Sequence, residues 1–160
     1  MRLKRINWGQ VEAGQVIQFR YKGRRTGKSR LRTCLILNEK HMYKRKDGRN
    51  VRLVHALQLK AVPRVPGTRV LTESNIKKVL KKTGNIEIVD GNYKVDINRF
   101  GARRGYNKLR QLVEQFGIYR TFSWHICKTR AAFIDSEFEW PKELIKDLQQ
   151  IPVVVDEEDI

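Results

Sequence analysis

Residues 16–62 carry a period-two alternation broken only at short, glycine-bearing stretches, and this pattern constrains the fold more than anything else in the chain. Val16, Gln18, Arg20 and Lys22 alternate with Ile17, Phe19 and Tyr21, and Arg52 alternates with Val51 and Leu53. Successive side chains of an extended strand point to opposite faces, so such alternation marks half-buried strands. Gly23 and Gly27 bracket the first break, and Asp47-Gly48 in the second suits a hairpin turn that needs positive φ. Three or four strands joined in this way are expected to curl into a small barrel or a strongly twisted meander.

Both breaks are loaded with cations. Lys22, Arg24, Arg25, Lys28, Arg30 and Arg32 crowd the first with no acid among them, and Lys44, Arg45, Lys46 and Arg49 surround the second. Two tips projecting from one end of a barrel would make a single phosphate-binding face; the alternative is a pair of solvated loops. The imbalance extends along the chain, whose formal net charge is +17, with 17 basic against 3 acidic residues over 1–60, 15 against 5 over 61–130, and 2 against 9 over 131–160. A basic body with an acidic end points to a polyanionic partner, either nucleic acid or an acidic protein neighbour.

Pro63, Pro66 and Gly67 mark a break between lobes. The expected organisation is a β-barrel or meander lobe over 1–62, an α+β lobe over 63–150, and an acidic, partly apolar tail over 151–160. Within the second lobe, Ile76, Val79 and Leu80 share a helical face that stops at Gly84, and IEIVDGNYKVDI reads as a hairpin turning at Asp90-Gly91-Asn92. Leu109, Leu112, Val113 and Phe116 line a second helix, preceded by Arg103 and Arg104 in a glycine-flanked loop that would suit an anion. IYRTFSWHICKTRAAFID reads as a strand or two, with Tyr119, Phe122 and Trp124 buried in this lobe, and Pro141 opens a short amphipathic helix. The fold class is therefore α+β.

The tail places Val153, Val154 and Val155 beside Asp156, Glu157 and Glu158. Left free it would expose β-branched surface, so it is expected to be ordered only against another subunit, with the valines on a sheet edge and the acids on a basic patch.

Chemistry-bearing constellations are sparse. Cys34 and Cys127 lie in apolar runs without metal-ligand spacing and read as reduced core residues suited to a reducing interior. His41, His55 and His125 are dispersed and fit no metal motif, and His55 in VHALQL reads as a core or edge histidine. Asp90 lies at a turn, where Asp-Gly is explained by turn chemistry, and Asp96 in a strand, so the two do not read as a catalytic pair. Trp8, among Arg2, Lys4 and Arg5, either stacks on a base or plugs a barrel end, and the plug is the preferred reading. No apolar run approaches the ~18 residues of a membrane span, and no signal-peptide pattern opens the sequence. No enzyme activity, cofactor, metal, membrane or small-molecule substrate is expected, and no hydrolysis of RNA, because no titratable pair stands at a spacing that would drive its pKa values apart.

Two resemblances are carried by these stretches. VIQFRYKG, VRLVHALQLKAVPR and YRTFSWHICKTRAAFID together resemble small structural and assembly proteins of contractile-tailed bacteriophages. That resemblance implies a non-enzymatic virion component, assembled in the host cytoplasm and touching genome DNA or acidic neighbouring subunits. Gly14, the strand from Val16 to Phe19, Gly27, and Arg32 before Cys34-Leu35-Ile36-Leu37 resemble in outline the SH3-like barrel of plasmid-stabilisation ribonuclease toxins. Thr33 stands where that family has proline, and its later catalytic positions have no match here. The toxin reading would use Arg32 as a transition-state clamp and His55 as base. The remaining alternative is a stand-alone nucleic-acid-binding SH3-like module. For either nucleic-acid reading the phosphate contacts expected are Arg24, Arg25, Lys28, Arg30, Lys44, Arg45, Lys46, Arg49, Arg103 and Arg104. Residues 153–158 are the expected partner contacts.

Overall fold

The computed structural model describes residues 3–23, 28–59, 86–89, 92–95, 117–139, 142–150 and 153–160. The expected helices carrying Ile76, Val79 and Leu80 and carrying Leu109, Leu112, Val113 and Phe116, together with Arg24, Arg25, Arg103 and Arg104, lie outside the described residues. Two compact units emerge, and they interleave along the chain: one comprises residues 1–58, 119–139 and 153–160, the other 59–118 and 140–152.

The first unit is built on an antiparallel sheet. Its strands are β1 (Leu3–Ile6), β2 (Gln15–Tyr21), β3 (Arg30–Lys44), β4 (Asn50–Leu59), β7 (Gly117–Ser123) and β8 (Ala132–Glu139), in the order β1-β8-β2-β3-β4-β7. The alternating stretches are the β2-β3-β4 meander, with Val16 opposite Leu35, Tyr21 opposite Arg30, and Lys44 opposite Asn50. The Asp47-Gly48 turn forms as its chemistry requires. Gly48 has φ of 88°, its N–H donates to the Arg45 carbonyl at 2.9 Å, and Asp47 Oδ1 accepts from the Arg49 N–H at 3.0 Å.

The sheet is open, with β1 and β7 as its edges, yet strongly curled. Phe122 on β7 packs on Phe19 and Tyr21 of β2, with ring centroids 5.3 and 4.8 Å apart. Two strands intervene between β7 and β2, and at about 4.8 Å per step a flat sheet would hold them roughly 14 Å apart. The coil is eased by register shifts in β3 between Ile36 and Asn38 and between Asn38 and His41. Its inner face holds Trp8, Ile17, Phe19, Tyr21, Cys34, Ile36, Val54, Ala56, Phe122, Cys127 and Ala132 in one buried cluster. The alternate residues Val16, Leu35, Leu37, Leu53 and Leu57 are buried on the other face. Trp8, on a single 3-10 turn (Trp8–Gln10), is the plug: it is 4% exposed, meets Phe19 and Trp124 edge to face, and donates its indole N–H to the Arg130 carbonyl at 2.9 Å. Cys34 and Cys127 are buried free thiols in the same cluster, and burial pushes Cys34 up to about 12.

Three expectations are corrected. Residues 117–139 join the first sheet, so Phe122 is buried with the N-terminal strands and not in the second lobe. Within that segment, SWHICKTR is not extended: Trp124–Cys127 forms a short helix, α1, closed by Lys128 N–H to Trp124 O and Arg130 N–H to Cys127 O, both 2.9 Å. Residues 153–160 are ordered on the first unit itself, where Ile160 is 2% exposed. Tethering holds the segment at a high effective concentration beside the hairpin it contacts.

The second unit contains the hairpin β5 (Ile86–Val89) and β6 (Asn92–Val95), paired with Val89 opposite Asn92 as the turn signal implied, and α2 (Lys142–Gln149), which packs on β6. Ile145 and Leu148 on α2 are buried. The described fold is thus β-rich, mostly antiparallel sheet with short helices.

If the curl is held by the inner aromatic cluster, Phe122→Ala should cost about 3–5 kcal/mol in urea unfolding, while Phe133→Ala, at a 36% exposed position on β8, should cost less than about 1 kcal/mol.

Candidate nucleic-acid interface

The two cation-rich breaks do not share one face. Consecutive antiparallel hairpins turn at opposite ends of the strand they share, and β3 has 15 residues, which would span roughly 45–50 Å if straight. The register shifts shorten that length, but the tips remain at its two ends, and each has a different electrostatic fate.

At the β2-β3 end, Lys22, Lys28 and Arg30 are exposed. Arg32 is drawn inward. The β2-β3 register sets it opposite Phe19, on the face shared with Cys34 and Ile36, leaving it 8% exposed. Its guanidinium lies 5.8 Å from the Tyr21 ring centre and 5.6 Å from that of Phe122, and Nη1 donates to Gln58 Oε1 at 2.7 Å. Arg32 Nε is buried and has no acceptor. Burial, then the nearby Arg120 and Arg30, lower the guanidinium's affinity for its proton. The Arg32 guanidinium thus feels the positive charges of Arg120 on β7 and Arg30 on its own strand, and among the described residues no carboxylate pairs with any of the three, an arrangement that favours an incoming anion.

At the β3-β4 end, the charge is largely answered within the chain. Asp47 Oδ2 accepts from Arg49 Nε and stands 2.9 Å from Arg49 Nη2; the Arg49 backbone N–H on Oδ1 first, and this side-chain bond second, hold the Asp47 carboxyl below its ordinary range. Glu157 Oε1 accepts from the Tyr43 hydroxyl at 2.9 Å and from the Lys46 backbone N–H at 2.8 Å. Arg45 donates to the carbonyls of Ile160 at 3.1 Å and Glu157 at 3.4 Å. The hydrogen bond to Glu157 raises the Tyr43 pKa. The side chains of Lys44, Lys46 and Arg49 remain exposed. Of the expected partner contacts, Val153, Val155 and Glu157 are half-buried, Val154 is 74% exposed, and Asp156 and Glu158 are exposed.

A third basic surface was invisible in the sequence. The β1-β8 ladder sets Ile6 opposite Ala132, and the turn after α1 brings round Lys128 and Arg130. With Arg5, Asn7 and Trp8 they line a groove of about 430 Å³. More than a hundred residues separate Arg5 from Lys128, and no local pattern pairs a short N-terminal strand with one so distant.

The toxin-like pair does not converge. Arg32 faces the inner cluster, as do Val54 and Ala56, so His55 between them points to the opposite face. There it lies with Tyr119 and His41, at ring-centre separations of 5.9 and 6.4 Å. Among the described residues no three His, Cys, Asp or Glu side chains gather as metal ligands, and no helix is long and apolar enough to cross a membrane. No family model, curated protein or solved structure matches the chain.

Burial first, and His41 second, lower the His55 pKa from 6.5 to about 4. The unfolded chain takes up a proton near the ordinary value and the folded chain only near the lower one. Stability from this site is therefore complete above about pH 6.5 and is lost as pH falls toward 4, a change on the order of 3 kcal/mol. Chemical denaturation across that window should show a steeper loss for the wild type than for His55→Gln.

Proposed function

We propose that the chain is a non-enzymatic protein that grips a nucleic-acid backbone through basic surfaces on a curled, SH3-like half-barrel. The observation that carries this reading is the Arg30, Arg32 and Arg120 cluster at the mouth of the sheet. A protein selected only for stability would fill a position beside Tyr21 and Phe122 with an apolar side chain, since a buried, incompletely bonded guanidinium contributes little or is unfavourable. Held there, it adds to a positive potential that the exposed Arg30 and Arg120 present to solvent, and the net charge of +17 extends that field over the chain. Phosphate contacts of this type carry affinity and position, not base identity. The SH3-like description is supported by the packing of β7 onto β2 across two intervening strands.

The paired change Arg30→Ala and Arg120→Ala, at exposed positions, should weaken binding to unrelated DNA duplexes alike and lower the log–log salt slope by about 1.8, near 0.9 for each lost phosphate contact. Arg32→Met should weaken binding while leaving stability equal or higher. An unchanged salt slope would remove the cluster from the interface.

A second reading is a structural subunit of a tailed-phage particle, made in the host cytoplasm and held among acidic neighbours. It is favoured by the edges β1 and β7, which have no outer neighbour among the described residues and where Leu3 is 42% and Ile118 43% exposed, and by Val154 at 74%. Native mass measurement on the purified source should then find the protein within a larger assembly; a lone monomer would sink this second reading and leave the first standing.

A further inference from the structure

The contacts at the β3-β4 tip have the chemistry of an anion site that the chain fills with its own carboxylate. One oxygen of Glu157 accepts from a hydroxyl, Tyr43, at 2.9 Å and from a backbone amide, Lys46, at 2.8 Å. Beside it the Arg45 guanidinium spans two carbonyl oxygens, those of Ile160 and Glu157. A hydroxyl and an amide that meet on one oxygen, with a forked guanidinium on main-chain oxygens of the same segment, can take a phosphate's oxygens as they take these. The donors sit on a hairpin whose own turn is fixed without Glu157, by Arg45 N–H to Arg49 O at 2.8 Å and Gly48 N–H to Arg45 O at 2.9 Å. Their arrangement therefore survives a change of occupant.

We propose that the β3-β4 tip is a second phosphate-binding site, occupied in cis by residues 153–160, which a nucleic-acid backbone must displace to engage Arg45 and Lys46. The proposal rests on the nucleic-acid reading above. The occupying segment is built to leave. Apart from buried Ile160, its described side chains are half-buried or exposed, and its single 3-10 turn, with Asp156 Oδ1 accepting from the Glu158 N–H at 3.1 Å, is local to the segment. Its acids place several negative charges side by side on and before that turn, as neighbouring phosphates do. Competition of this kind lowers apparent affinity by the fraction of molecules in which the site is open.

The test compares Glu157→Gln with Glu158→Gln in binding to a short DNA duplex over a series of salt concentrations. Both remove one negative charge from the same segment, but it is the Glu157 carboxylate that accepts from the Tyr43 hydroxyl and the Lys46 amide. The expected result is binding about five- to tenfold tighter for Glu157→Gln, with a salt slope steeper by about 0.9 to 1.8, and a change below about twofold for Glu158→Gln. In NMR spectra of the wild type, duplex should move the Lys46 amide and Tyr43 ring signals away from their positions in the free protein. Equal effects of the two substitutions, or Lys46 and Tyr43 signals unmoved at saturating duplex, would overturn the proposal. In that case, duplex binding that still depends on Arg30 and Arg120 would leave the functional reading intact. Absence of duplex binding by all three proteins would remove both.

Discussion

The contact of Phe122 with Phe19 and Tyr21 is the interaction on which the first unit depends. It draws the β7 edge back over the inner face of β2, curls the open sheet, and gives Trp8 and the two cysteines a common core. It also decides where charge can sit. Tyr21 and Phe122 flank the Arg32 guanidinium, and the Tyr21 hydroxyl accepts the buried Ser123 N–H at 3.0 Å, locking the end of β7 to the same ring. Aromatic closure and arginine clustering are consequences of one packing event.

Charge is partitioned by the length of β3. An excess of positive charge as large as this opposes compaction unless it is spread, answered internally or used. The strand spreads it by holding the two hairpin tips at opposite ends. One tip is partly answered by Asp47 and by residues 153–160; at the other, no carboxylate pairs with the arginines among the described residues. The asymmetry gives the molecule two basic ends of unequal availability, where a single shared face would have given one.

What the residues disclosed in advance was local. Alternation in 16–62 identified β2, β3 and β4, Asp47-Gly48 identified a turn that adopts positive φ, and Asp90-Gly91-Asn92 identified the β5-β6 hairpin, because each signal lies within one strand or one turn. The buried roles of Trp8, Cys34, Cys127 and His55 were legible for the same reason: small or aromatic groups in apolar runs go inside. Pairings between distant segments were not legible. Nothing local sends β8 between β1 and β2, seats Phe122 on Phe19, or gathers Arg5 with Lys128 and Arg130. The helical turn at Trp124 was missed because aromatic and β-branched residues around it have strand propensity, and the constraint that overrides them is tertiary. Counting charges on the acidic segment could not show that Glu157 meets the Tyr43 hydroxyl and the Lys46 amide, on a hairpin more than a hundred residues earlier.

The shared strand has a mechanical side. Over residues 30–35 β3 is flanked by β2 on one edge, and over 34–44 by β4 on the other, so its two halves belong to different ladders that overlap only near Cys34 and Leu35. The near half is anchored in the aromatic core. Beyond the register shifts, the far half is a ribbon whose second edge carries no strand among the described residues, and two-stranded ribbons are marginal by themselves. Opening free energy should therefore fall along a single continuous strand, with amides near Cys34 exchanging only on global unfolding and those near Tyr43 by local fraying. A strand graded in this way transmits little from one end to the other, and events at the far tip stay far from the arginines at the near one.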